Sequence, residues 1–273
     1  MPELPEVETV RAGLARHIVG KKIKTVEVRH SRATSPKSIA PLTSITGAKI
    51  KAVKRRGKFM WVELDRPEVL VAHLGMSGQL LIKKSSEPAE KHLRVRLDLG
   101  SFELRFIDQR TFGWLSVEST IDGIPQCASH IALDPFDEAF SVNETITRFL
   151  SRRTEIKRAL LDQEIMSGVG NIYADETLWR AKIHPLTPTS RLTEKELATI
   201  ITKATQVMRS AIEKGGTSFD DLYINVNGES GFFEQSLSAY GQDGTPCRRC
   251  RTLIKRIVIS ARSAHFCPTC QRR

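Results

Sequence analysis

The stretch KIKAVKRRGKFMWVELDRPEVLVAHLGMSGQLLIK, residues 49–83, decides the first half of the fold. Within it FMWVEL and VLVAHL are short apolar or alternating runs of strand length, and Gly57, Gly75 and Gly78 fall between or at the ends of such runs, where turns or bulges are expected. The same grain extends outward from Lys21 to about Val117 through TVEV, LRVRLDL and FELRFI, with Gly100 and Gly113 again at the ends of runs. An antiparallel β-sandwich is predicted. Upstream, MPELPEVETVRAGLARHI places Leu4, Val7, Val10, Leu14 and Ile18 three or four residues apart, the spacing of a helix with one buried face, and Pro5 suits its first turn.

Downstream the composition changes. Residues 117–147 hold six acidic side chains and no Lys or Arg, and Pro125 and Pro135 interrupt any period, so a domain boundary is expected here. Helical spacing then returns in VNETITRFLSRR (142–153), TEIKRALLDQEIM (154–166), NIYADETLWRA (171–181) and from Thr193 to about Lys214. The expected class is α+β, divided into an N-terminal helix and sandwich over 1–133, a helical domain over 134–240 and a terminal hairpin over 241–273.

Across the 273 residues, 42 Lys and Arg face 31 acidic residues, a formal charge of +11, which points to a polyanionic partner such as nucleic acid. No apolar run approaches the roughly 20 residues needed to span a bilayer. The first 20 residues hold three glutamates and lack a signal-peptide pattern, so a cytoplasmic location is expected, and with it reduced thiols.

Those thiols carry the sharpest local signal. Cys247, Cys250, Cys267 and Cys270 form C-x2-C-x16-C-x2-C, two tight turns each presenting two thiolates, with enough chain between them for a short hairpin. Four soft ligands with no open position fit one structural zinc ion; iron and sulfur could take the same ligands, but the ribbon-like spacing favours zinc. From Cys247 to Arg273 there are eight Lys or Arg residues and no carboxylate, so the hairpin is a basic, DNA-facing device with Arg262 expected at its tip. Cys127 stands apart in the acidic connector and reads as an inert thiol.

MPELPEVETV at the start, RRGK at 55–58, HLGMSG at 73–78, DQRTFG at 108–113, SGVGNIYADE at 167–176 and the terminal hairpin ending in FCPTCQ together resemble the bacterial formamidopyrimidine-DNA glycosylases, end to end and in the same order. The resemblance implies a helix two-turn helix motif in the helical domain, a zinc-finger hairpin and a monomer acting on damaged double-stranded DNA, associated with the nucleoid through that DNA. It also implies a bifunctional DNA glycosylase and AP lyase for oxidised purines, chiefly 8-oxoguanine opposite cytosine and formamidopyrimidines.

The chemistry of the matching residues agrees with that implication. Removal of Met1 would expose the Pro2 nitrogen as a secondary amine; an α-amino group has a pKa of about 8 against about 10.4 for lysine, so more of it is neutral at pH 7. Attack on C1′ would give an iminium, the electron sink for base loss and elimination. Glu3 matches the family's acid catalyst, Glu6 either supports that site or serves as a first-turn helix carboxylate, and Lys58 matches the lysine assigned to acid/base help in elimination. A glycosylase must also fill the gap left by the rotated nucleotide. Met76, Arg110 and Phe112 match the three intercalating residues, although Gln109 and Thr111 depart from the proline and basic residue common at those positions. Asn171 and the turn before it match a phosphate site at a helix N-terminus. His92, Arg153 and Lys157 are expected to add DNA contacts, and Arg262 to grip phosphates at the lesion. Thr217–Phe233 matches the loop that caps the extruded base. Two competing readings are an endonuclease VIII-type enzyme for oxidised pyrimidines and a non-catalytic zinc DNA-binding protein; the latter has no use for Pro2 and Glu3.

Overall fold

Helix α1 (Leu4–Ile18) starts at Glu3, where Glu3 and Glu6 form a reciprocal capping box and Glu6 Oε2 accepts from the Glu3 amide at 2.9 Å. Its apolar face, Val7, Val10, Leu14 and Ile18, is buried in the main core. That core lies between two four-stranded antiparallel sheets. The first consists of β1 (Thr25–Val28), β6 (Leu93–Asp98), β7 (Glu103–Asp108) and β5 (Gly78–Lys83), in that order. The second consists of β2 (Ile50–Arg56), β3 (Phe59–Leu64), β4 (Val69–His73) and β8 (Trp114–Glu118). Strand β6 alternates strictly, with Leu93, Val95 and Leu97 inward, the period of a sheet with one wet face. Strands β3, β4 and β8 instead bury both faces: Trp61, Val69 and Val71 form a separate small cluster on the outer side. Its cover includes Ile124 and Cys127, from the short ladder of β9 (Thr120–Ile121) and β10 (Ile124–Pro125) and the turn that follows. Arg105, almost wholly buried, pairs with Glu103 at 2.8 Å and donates to the carbonyls of Pro88 and Glu87, pinning the chain between β5 and β6.

The computed structural model describes residues 2–217, 226 and 231–273. They divide into two compact units, the first from 1–130 and 214–232, the second from 131–213 and 233–273. This differs from the three-part division expected above. The chain after the last helix returns to the sandwich because Glu6 Oε1 accepts from both the amide and the hydroxyl of Thr217, each at 2.9 Å. Val226 adds a second anchor: its carbonyl accepts from Ile82 N at 3.0 Å and its side chain lies in the sandwich core. The remainder of the expected capping loop, residues 218–225 and 227–230, lies outside the described residues.

In the second unit α2 (Val142–Ser151), α3 (Ile156–Leu161), α4 (Asn171–Ala181) and α5 (Glu194–Glu213) are followed by a hairpin of β11 (Lys255–Ile259) and β12 (Arg262–Phe266). Helix α3 is shorter than its periodicity suggested. The Gln163 side chain donates to the carbonyls of Leu161 and Val169 and accepts from Gly168 N, closing a compact turn in place of further helix. Helix α2 likewise stops at Ser151, so Arg153 sits in a connector and not on a helix. The segment before the hairpin is held by Glu176 of α4, whose Oε1 accepts from the amides of Ser238, Ala239 and Tyr240, and the hairpin itself by Asp175, which accepts from His265 N. Among the described residues no helix is long and apolar enough to cross a membrane.

Candidate active site and nucleic-acid interface

The start of α1 is buried: Pro2 is inside, and Glu3 is only 3% exposed. Both oxygens of Glu6 are committed, one to the Glu3 amide and one to Thr217, so this carboxylate fixes the Pro2-Glu3 segment against the returning chain. Its role is therefore positional. Glu8 ties the same helix to the RRGK turn, accepting from Arg55 Nε and Arg11 Nε at 2.9 Å each, while Arg11 reaches the Val53 carbonyl. Lys58 follows that turn and is 8% exposed, an uncommon burial for a lysine. The neighbouring His73 has its pKa lowered by burial and by the Lys58 charge, which keeps the imidazole neutral. His73 opens HLGMSG, and nothing in its spacing singled it out.

Two loops then come together in the same unit. Met76 and Phe112 are 39% and 47% exposed, and the Arg110 guanidinium lies over the Phe112 ring at 4.9 Å from its centroid. A side chain on Gly75 would sit 2.5 Å from the Phe112 carbonyl carbon, and one on Gly113 would sit 2.8 Å from the His73 oxygen, so the backbones touch where only glycine allows it. Asp108, fully buried, is the clamp. Its Oδ1 accepts from the Ser77 hydroxyl and from the amides of Arg110 and Thr111 at 3.1 and 3.0 Å, and its Oδ2 accepts from Gly113 N at 2.7 Å. Thr111 has φ 54°, a left-handed conformation that a β-branched residue adopts only under constraint. Asp108 was legible only as the first letter of DQRTFG. His92 is brought to the base of this loop, its carbonyl accepting from Asp108 N at 3.0 Å.

In the second unit, Asn171 is the first residue of α4, following Gly170. Its Nδ2 donates to Ser263 Oγ at 3.4 Å, so it adjoins the strand that Arg262 begins. Arg262 is exposed and pairs with Ile259 across a two-residue turn, Ser260-Ala261, in which both residues have positive φ, 47° and 63°. Arg153 is exposed. Lys157 departs from its expected role as a phosphate contact. Its ammonium is buried, donating to Asp175 Oδ1 at 2.6 Å and to the Ser263 carbonyl at 2.5 Å. Asp175 Oδ2 in turn accepts from the amide of His265 and contacts its Nδ1, both at 2.9 Å. A fully desolvated ammonium with such partners holds the hairpin to α4 and has no face to offer DNA.

The four hairpin cysteines place their sulfurs within 4.8 Å of one another, with Cys250 and Cys267 3.3 Å apart. Four sulfurs about 2.3 Å from a tetrahedral zinc lie about 3.8 Å apart, so the set fits one structural ion with no position left for substrate. Cys127 lies elsewhere, its thiol pushed up to about 12 by burial and by the Glu118 carboxylate beside it, in keeping with an inert group.

The chain matches the family model for the formamidopyrimidine-DNA glycosylase N-terminal domain over residues 1–115, the H2TH domain of the same enzymes over 131–221, and the zinc finger found in FPG and IleRS over 244–273. It is 52% identical to a formamidopyrimidine-DNA glycosylase of Rhodococcus opacus, covering 100% of this chain and 97% of the relative. Among solved structures it resembles Lactococcus lactis Fpg in complex with DNA containing an oxidised pyrimidine, at TM-score 0.90 and 34% identity with both chains covered in full. It also resembles MutM in complex with DNA containing carbocyclic 8-oxo-G, at TM-score 0.89 and 33% identity with 100% of both chains covered.

Proposed function

The chain belongs to the formamidopyrimidine-DNA glycosylase family, DNA glycosylases acting on damaged DNA, and from that premise we propose a bifunctional glycosylase and AP lyase for oxidised purines. The carrying observation is the burial of Pro2 and Glu3 at the start of α1, on a helix tied by Glu8 and Arg55 to the turn bearing the buried Lys58. In this reading, once Met1 is removed, the Pro2 nitrogen attacks C1′ of the damaged nucleotide while Glu3 protonates the sugar ring oxygen. The C1′–base bond breaks and its electrons leave with the base, which takes up the proton shed by the nitrogen; the C1′–O4′ bond then opens onto the protonated ring oxygen, and the nitrogen lone pair closes the iminium. That cation accepts the electrons of the C2′ C–H bond as the proton departs, expelling the 3′ phosphate; a second elimination expels the 5′ phosphate. Lys58 assists these proton transfers. Met76, Arg110 and Phe112 occupy the vacated stack, with Arg110 donating to the orphaned cytosine. Asn171, with the first amides of α4, and Arg262 bind phosphates. Zinc stays structural throughout.

Borohydride trapping on duplexes bearing 8-oxoguanine opposite cytosine or thymine glycol tests both parts. Covalent adduct on the first duplex, and its loss in Pro2→Gly, are expected. Equal trapping on thymine glycol would overturn the purine assignment, and trapping that survives Pro2→Gly would overturn the nucleophile. The pyrimidine duplex is the necessary comparison because one Lactococcus lactis relative has been solved with an oxidised pyrimidine.

A further inference from the structure

On the outer face of the second sheet, away from the sandwich core, lies a cavity of about 780 Å³ lined by Phe59, Trp114, Glu118 and Cys127, with His130 and the exposed Lys37 also on its wall. The volume falls within the range of about 300–1,000 Å³ typical of small-molecule sites. Two aromatic rings form its wall: Phe59 and Trp114 lie 6.3 Å apart, tilted at 54°, with the His73 ring packed against both at 5.1 and 5.3 Å. At its floor is Glu118, 5% exposed. Glu118 Oε2 accepts from Cys127 N at 3.1 Å, while Oε1 is buried and has no hydrogen-bond partner among the described residues. Ser116, two residues earlier on the same face of β8, also has a buried hydroxyl without a partner.

A buried carboxylate oxygen without a donor is costly, and a carboxylate can only accept. An occupant that relieves it must therefore bring a donor, and a charged N–H gives the strongest such bond. Flat aromatic walls select a flat molecule, and their electron-rich faces favour a cation. We propose that it is a binding site for a small planar aromatic cation of the amidine or amino-heterocycle class, held by Glu118 Oε1 and stacked against Phe59 and Trp114. Phe59 follows Lys58 and Trp114 follows Gly113, so an occupant touches the segments that carry the lysine and the DQRTFG loop.

Calorimetric titration of the zinc-loaded full chain with benzamidine tests the site, with benzamide as the uncharged molecule of the same shape. Saturable benzamidine binding is expected, with benzamide weaker by about ten- to hundred-fold, the worth of a hydrogen bond to a charged group. Glu118→Gln, whose amide oxygen still accepts from Cys127 N, should lose the preference for benzamidine by the same factor and keep excision activity on damaged duplex. Absence of saturable binding overturns the proposal. So does equal affinity of the wild type for the two probes, a readout that needs no variant to fold, and so does a preference that survives in Glu118→Gln.

Discussion

Replacing Asp108 by Asn tests whether one buried carboxylate positions the residues assigned to fill the DNA stack. The carboxylate accepts from the Ser77 hydroxyl and the amides of Arg110, Thr111 and Gly113, using both oxygens. Asparagine offers a single acceptor. With its oxygen at the Oδ1 position its NH2 faces Gly113 N, two donors opposed in a buried space. An unsatisfied buried group costs about 1–3 kcal/mol, and the remaining bonds lose their charge assistance, so a loss of about 2–3 kcal/mol is expected. At about 2–4 °C per kcal/mol for a domain of this size, the melting temperature should fall by about 4–12 °C.

The functional readout separates positioning from mere stability. Under the proposed function, and at a temperature well below both melting points, excision of 8-oxoguanine from duplex requires Met76, Arg110 and Phe112 in place, whereas trapping on a preformed abasic site in a single strand does not. Single-turnover excision on duplex should fall about tenfold or more, equivalent to about 1.4 kcal/mol of barrier. Single-strand trapping should stay near the wild-type value. Loss of melting temperature with unchanged duplex excision would refute the positioning argument, as would an equal fall on both substrates.

Two further substitutions probe the hairpin unit. Ala261→Gly places the residue that tolerates positive φ in a turn where Ala261 now has φ 63°; relief of about 1–2 kcal/mol of strain, less about 0.4–1 kcal/mol of added unfolded-state entropy, should leave a gain of about 0.5–1 kcal/mol in denaturant unfolding. A loss of stability would mean that the turn is not held in that conformation. Lys157→Met removes one partner of the buried Asp175 pair and should cost about 3–5 kcal/mol. A surface phosphate contact would instead leave stability unchanged and reduce only the salt dependence of DNA binding.

The sandwich and the helices were legible because their periods differ, two against roughly 3.6 residues, and the zinc site because its ligands are close in sequence. What escaped depends on chain segments distant in sequence. Lys157 carried the charge of a phosphate ligand, but its burial is set by Asp175 on another helix and the Ser263 carbonyl on the hairpin. Glu6 read equally well as an ordinary first-turn carboxylate, and its commitment to Thr217 joins groups 211 positions apart. Helix α3 stopped early because a glutamine side chain competed for backbone groups, an effect that hydrophobic spacing does not register.

Asp108 and the glycines around it bear on a difficulty that any stack-filling enzyme faces before it meets DNA. Met76 and Phe112 are apolar side chains on short loops, and burial against the protein itself would stabilise each by about 1.5–3 kcal/mol. Collapse is opposed because the backbones already touch at Gly75 and Gly113, and the amides that would have to move are held by one carboxylate. The Arg110 guanidinium over the Phe112 ring covers one face of the exposed aromatic without burying it. Under the proposed function, the apolar area withheld from the protein core remains available to the gap in the duplex. It offsets part of the few kcal/mol of unstacking that rotation of the damaged nucleotide demands.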